Sequence, residues 1–200
     1  MVKKLSIGII GIQGAISEHI LSMKNTLEEL NIPGNVISIK DSNQIENIDA
    51  LIIPGGESTT ISNILYKTGL YKKILIKIKE NKIPIMGTCA GCVILASKLV
   101  DNSKDVKLLS AIDMKVKRNA FGRQRESFEC NINIEGFKRS YNAVFIRAPI
   151  IEDVWGDCKI LSKIDNNIVM VKQKNFIATS FHPELTNDFR IQECFLDMVL

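Results

Sequence analysis

Residues 5–39 read LSIGIIGIQGAISEHILSMKNTLEELNIPGNVISI, and a change of period inside this stretch decides the fold class. Residues 5–12 are a short isoleucine-rich run punctuated by glycine, the pattern of a buried strand that enters a tight turn at Gln13-Gly14. Ile16, Ile20, Met23, Leu27 and Leu30 then recur every three or four positions, with Glu28 and Glu29 off the stripe. That spacing predicts an amphipathic helix, ended by Pro33-Gly34. A second apolar run at residues 36–39 completes a strand–helix–strand unit.

The same alternation continues outward. Residues 50–53 are another buried-type strand, closed by Pro54-Gly55-Gly56, and helical patterns run from 59 to 80. Residues 84–86 form a short strand that meets Gly87, and an apolar helical pattern occupies 93–99. Strands separated by helices predict an α/β protein with an open, mainly parallel sheet and flanking helices. Beyond Ala96 the pattern turns to strands, at 106–116, 128–134, 143–146, 160–164, 168–171 and 176–180, some of which form an antiparallel extension. A helix within 186–200 closes the chain, with Phe189, Cys194, Phe195, Met198 and Val199 on its apolar face. No repeat or linker divides the sequence, so residues 1–200 are expected to form one domain.

Composition narrows the function. The 200 residues are 46% hydrophobic and 24% charged, enough for one substantial core. A net charge of +4 and 6% aromatic content give no basic, aromatic-interleaved surface, and nucleic acid is not expected as a partner. Lys72, Lys73, Lys77, Lys79 and Lys82 are spaced as the wet face of a helix. Five scattered cysteines do not make a secreted disulfide framework and suit reduced thiols. The segment after Met1-Val2-Lys3-Lys4 is broken by Gly8, Gly11 and Gln13, and no run has membrane-spanning length, so a soluble cytoplasmic protein is expected.

The sharpest chemical signal is Gly87-Thr88-Cys89-Ala90-Gly91, set between a strand and a helical pattern. It is the G-x-S-x-G nucleophile elbow with sulfur in place of oxygen, and the helix dipole behind it favours a thiolate. A buried structural cysteine in a glycine turn is the plainer alternative. Cys89 and Cys92 also form a C-x-x-C pair, but no second pair accompanies it and both histidines are remote, which argues against a metal or redox site. For the base, His182 has the better neighbourhood. In Phe181-His182-Pro183-Glu184 the proline favours an extended backbone, where positions two apart share a side, so Glu184 can orient the ring; a histidine capping a strand end beside a solvated glutamate is the plainer alternative. Pro54-Gly55-Gly56-Glu57-Ser58-Thr59 is a second glycine turn able to aim backbone N–H groups at a ligand oxygen, although Ser58 can simply cap the next helix. Gly8, Gly11 and Gly14 do not have dinucleotide-fold spacing.

Together these segments resemble the triad class of glutamine amidotransferases, more narrowly the glutaminase subunits of pyridoxal 5'-phosphate synthase. The resemblance rests on Ile10-Gly11-Ile12-Gln13-Gly14-Ala15 with Glu18-His19, on the Gly55 and Cys89 turns, on Arg118-Asn119-Ala120-Phe121-Gly122-Arg123-Gln124 with Ser127-Phe128, on Phe145-Ile146-Arg147-Ala148-Pro149, and on Phe181-His182-Pro183-Glu184-Leu185. It implies a flavodoxin-like, class I fold, a Cys89–His182–Glu184 triad and no cofactor or metal. It also implies an oxyanion hole from Gly56 and Ala90, and glutamine-binding positions at Gly56, Glu57, Ser58, Arg118, Ile146 and Arg147. The implied partners are L-glutamine and a synthase subunit that receives ammonia, with Gln13 and Gly14 coupled to its docking. Cys92 stands where the resemblance leads one to expect a larger aliphatic residue, and reads as a packing substitution. A free-standing cysteine peptidase or glutamyl hydrolase of the same architecture, and a non-catalytic regulatory subunit, are the rival readings.

Overall fold

Alternate residues of strand β1 (Leu5–Ile10) enter different cores: Ile7 and Ile9 lie on one side of the sheet and Ile10 on the other. Strand β3 (Ala50–Ile53) repeats this, with Ala50 and Ile52 on the first side and Leu51 and Ile53 on the second. A strand buried on both faces has no use for polar residues, which is why these segments read as continuous apolar runs. The computed structural model describes residues 4–101, 104–118, 120 and 127–200.

Helix α1 (Ile16–Glu29) follows β1 and leads to β2 (Gly34–Ile39); α2 (Ser58–Lys67) and α3 (Leu70–Lys79) follow β3. Strand β4 (Ile85–Thr88) then enters α4 (Ala90–Leu95), β5 (Ala96–Leu99) and β6 (Ile112–Lys117). A hairpin of β7 (Ser127–Ile132) and β8 (Tyr141–Ile146) precedes β9 (Ile150–Val154), β10 (Lys159–Ile164), β11 (Asn167–Gln173) and β12 (Phe176–Thr179). Helix α5 (Arg190–Leu196) comes last.

The main sheet runs β2-β1-β3-β4-β12-β11-β9-β6-β5, with β10 paired to β11. The first five of these strands are mutually parallel, and β12 lies beside β4 in the register Ile177↔Met86. This is the flavodoxin-like order, with the chain's last strand in the fifth position. Strands β9, β10 and β11 supply the expected antiparallel extension. Helices α2, α3 and α4 cover one face through Ile61, Leu65, Leu70, Ile74 and Val93. On the other face, α1, α5 and the β7–β8 hairpin contribute Met23, Leu27, Phe195, Tyr141 and Phe145. Burying each such side chain is worth about 1.5–3 kcal/mol.

Some element bounds differ from the sequence expectation. The apolar pattern at 93–99 is helical only to Leu95; Ala96 pairs with Ile112, so its second half is an edge strand. The carbonyls of Ile94 and Leu95 accept the N–H groups of Leu109 and Ala111 at 2.7 and 3.0 Å. Those bonds end the helix and also hold residues 107–111 out of a ladder, leaving only Ile112–Lys117 of the 106–116 segment as strand. The 59–80 helical region breaks at Gly69, whose φ of 77° is left-handed. The closing helix begins at Arg190, whose backbone and guanidinium both bond to the Asp188 carboxylate. The pattern also missed β5 and β9. Among the described residues, no helix is long and apolar enough to cross a membrane.

Candidate active site

Parallel strands deliver their following turns to one edge of the sheet, and here four of those turns converge. Gln13-Gly14 follows β1, Pro54-Gly55-Gly56 follows β3, Cys89 follows β4 and His182 lies beyond β12. Ligands bind open α/β sheets at these carboxyl ends, where the strand order reverses.

Cys89 is an elbow. Its φ of 48° and ψ of −102° are strained for a side-chain-bearing residue, a cost of about 1–3 kcal/mol. Neighbours fix the strain in place. The Cys89 N–H donates to Thr179 O on β12 at 2.9 Å, and Cys89 O accepts from Val93 N in α4. Gly91 permits close packing, since a Cβ there would stand 2.0 Å from Ile53 O. Cys89 is 8% exposed and its sulfur lies 3.7 Å from Ile146 O. Arg147, with φ of 44°, turns the chain directly after that carbonyl.

His182 and Glu184 are both buried. Glu184 Oε1 lies 2.7 Å from His182 Nδ1, and the His182 N–H donates to Val144 O at 2.8 Å. Proline at 183 starts a 3-10 turn, Pro183–Leu185, so the two side chains meet across a bend rather than along an extended segment. The ring and the thiol share one space: a Cβ on Gly55 would stand 2.5 Å from His182 Cε1 and 3.3 Å from Cys89 Cβ. Nε2 of His182 makes no hydrogen bond of strict geometry among the described residues, yet Cys89 acts on the ring strongly. Burial lowers the imidazolium pKa, but Cys89 and Glu184 outweigh it and push it from 6.5 up to about 10. The Glu184 carboxyl is held below its ordinary value: burial raises it, and the two histidines, His19 and His182, pull it down further.

The remaining sequence-derived residues line the same edge with different degrees of engagement. Glu57 caps α2, its carboxylate accepting from Thr59 N and Thr60 N at 3.0 and 2.6 Å, so Glu57 takes the capping role that Ser58 had as an alternative. Burial raises the Glu57 pKa, and the bonds from Thr60 and Thr59 lower it by more. Arg118 reaches Asp101 Oδ2 at 2.7 Å and Thr59 Oγ1 at 3.4 Å, which brings it to the start of α2. The Gln13-Gly14 turn is seated on the β3 turn: Gly14 has φ of 106° and no room for a Cβ, which would lie 1.6 Å from Gly55 O. Cys92 is fully buried in α4 and burial drives its thiol pKa far upward, as a packing residue requires. Asn119 and residues 121–124 of the arginine-containing loop, like Met1, Val2 and Lys3, lie outside the described residues.

Residues 9–200 match the SNO glutamine amidotransferase family. The chain belongs to that family. Among curated relatives it is 45% identical to the pyridoxal 5'-phosphate synthase subunit PdxT of Pyrococcus horikoshii, covering 98% of this chain and 100% of that one. It is 45% identical to the PdxT of Methanobrevibacter smithii, covering 98% and 97%. A solved glutamine amidotransferase superimposes with a TM-score of 0.86 at 36% identity, over 96% of this chain and 98% of the other. Within this amidotransferase fold, one buried group that the sequence reading gave no role of its own stands beside the site. His19 of α1 is 1% exposed, with Nε2 2.9 Å from Thr88 Oγ1 and 3.4 Å from Glu184 Oε2. The signal was there: His19 falls three positions after Ile16 and four before Met23, on the apolar stripe of the helix.

Proposed function

We propose that the whole chain works as one glutaminase domain, hydrolysing the side-chain amide of L-glutamine through Cys89, His182 and Glu184, and that the ammonia passes to a synthase subunit making pyridoxal 5'-phosphate. The observation that carries the triad is the 2.7 Å bond from His182 Nδ1 to Glu184 Oε1, with the elbow cysteine beside the same ring and acting on it. Cys89 sulfur attacks the amide carbon as a thiolate whose proton His182 already carries, and the N–H groups of Gly56 and Ala90 hold the oxyanion. His182 returns the proton to the departing nitrogen, releasing ammonia and leaving a glutamyl thioester. It then takes a proton from water as that water attacks, and glutamate leaves as the thiol is restored. Glu184 fixes the ring's tautomer and stabilises its charged form throughout. These steps call for no cofactor or metal.

Gly56, Glu57, Ser58, Arg118, Ile146 and Arg147 hold the glutamine, with the arginines suited to its α-carboxylate. The relatives' description as synthase subunits supports the partner and the end product. Gln13 and Gly14 couple that partner's docking to the site. The test is ammonia release from glutamine with and without the synthase subunit, together with labelling by a glutamine-mimicking electrophile. Labelling at Cys89 and stimulation by the synthase are expected. Labelling elsewhere overturns the nucleophile, and turnover of peptides without any partner favours a free-standing hydrolase.

A further inference from the structure

The triad carboxylate has a second neighbour. Glu184 Oε1 is used by His182, but Oε2 is fully enclosed and makes no hydrogen bond of good geometry among the described residues. His19 Nε2 faces it at 3.4 Å while resting on Thr88 Oγ1 at 2.9 Å. The other nitrogen, Nδ1, is buried and without a partner among the described residues. An orphaned buried N–H costs more than a bare lone pair, so the proton belongs on Nε2, between the two oxygens.

We propose that His19 is a positioning residue for the reaction: a neutral Nε2–H tautomer, anchored on Thr88, that holds the Glu184 carboxylate in the orientation His182 requires. The inference rests on the triad reading above and extends it by one residue.

Electrostatics assign the two histidines opposite states. His19 is lowered from 6.5, first by burial and also by His182, against the raising effect of Glu184 and Glu18. His182, raised instead, takes the proton. One carboxylate therefore serves one imidazolium and one neutral imidazole, and His19 acts on Glu184 as an oriented donor, not as a charge. Tyr141 also feels Glu184, and burial raises its phenol and keeps it neutral. A 3.4 Å approach is long for a hydrogen bond, and such contacts tighten when charge develops in the occupied site.

A second set of bonds makes α1 the platform for this carboxylate. Gln192 Nε2 donates to Ser22 Oγ on α1 at 2.7 Å and to Pro183 O at 3.1 Å, tying the 3-10 turn that carries Glu184 to the helix that carries His19. At the start of the same helix, the Ala15 N–H donates to Gly55 O at 3.3 Å. The oxyanion turn and the triad acid are thus both referenced to α1.

The test measures glutaminase kcat, KM and pH profile in the complex with the synthase subunit for His19→Leu, His19→Gln, His19→Asn, Glu184→Gln and the His19→Leu/Glu184→Gln double variant. Leucine leaves Oε2 buried without a donor, and kcat should fall about ten- to hundredfold with KM little changed. The bell-shaped profile should narrow from both sides, because Glu184 then protonates more readily and His182 loses its proton more readily. Glutamine can place a donor where Nε2 stands and asparagine is too short, so His19→Gln should exceed His19→Asn about tenfold in kcat. That comparison decides the matter if the leucine variant fails to fold. In the Glu184→Gln background, His19→Leu should change kcat less than about twofold. Equal glutamine and asparagine variants, unshifted pH limbs, or a full leucine effect without the carboxylate would each overturn the role of His19 and leave the triad standing. Wild-type kcat in Glu184→Gln would overturn the triad reading, and the His19 proposal with it.

Discussion

Gln13 Oε1 accepts the backbone N–H of Glu57 at 3.1 Å, so the turn that closes β1 is fastened by a side chain to the turn that closes β3. Glu57 follows Gly56, the proposed oxyanion donor, and a pull on Gln13 is therefore a pull on the hole. On the proposed coupling, the synthase subunit would switch the glutaminase by moving one short segment.

Gln13→Ala should keep the fold but weaken this coupling. In a titration with the synthase subunit, wild-type glutaminase activity should rise from a low basal rate, and the variant should plateau several-fold lower. Full activity in the isolated wild-type chain, unchanged by partner, would sink the coupling and leave the triad intact.

Cys89→Ala should abolish ammonia release, lowering kcat by roughly a thousandfold or more, since no other group supplies the nucleophile. Cys92→Ala removes a packing atom and should retain most activity, at about 1 kcal/mol of stability. A dead Cys92 variant beside an active Cys89 variant would reverse the assignment. Both effects are read from an ammonia assay and a urea titration.

Gly91→Ala should damage stability and catalysis together. The new Cβ would meet the backbone oxygen of Ile53 at 2.0 Å, which cannot rotate away, and the elbow must open to admit it. Overpacking of this kind costs about 1–3 kcal/mol or more, a fall of several degrees in Tm for a chain of this size. A Tm and kcat both at wild-type level would show that the elbow has slack the contact distance denies.

The raised pKa of His182 has a signature in stability. A base whose folded pKa of about 10 exceeds its ordinary 6.5 contributes its full stabilisation below 6.5 and loses it as the pH climbs through 10. The urea midpoint should fall across that interval in the wild type and fall less in His182→Asn. Parallel curves for the two proteins would mean the ring is not held as a cation by its neighbours.

Much of this was legible in advance because strand burial, elbow spacing and the closeness of His182 to Glu184 in sequence are local patterns, although the two side chains meet across a 3-10 turn and not along the extended segment the proline suggested. The parallel strands were readable because a strand covered on both faces has to be apolar throughout, as Ala50–Ile53 is. What escaped was decided by partners distant in sequence. Ala96–Leu99 has helical spacing, and becomes a strand because Ile112 is beside it. His19 stands only beside Glu18 in the resemblance and is given no role there, because Thr88 and Glu184, which give it meaning, arrive from two other parts of the chain. Glu57 took the capping position because its longer side chain reaches back to two N–H groups.

Strand β12 completes the parallel part of the sheet beside β4, although the two are separated by most of the second half of the chain. For a polypeptide still emerging from the ribosome, that order has a protective effect. The cysteine is synthesised early, yet its base and acid exist only once the last strand has slid into place. On the proposed chemistry, a half-made or truncated chain carries an idle thiol and cannot drain the cell's glutamine before there is a finished enzyme to use it.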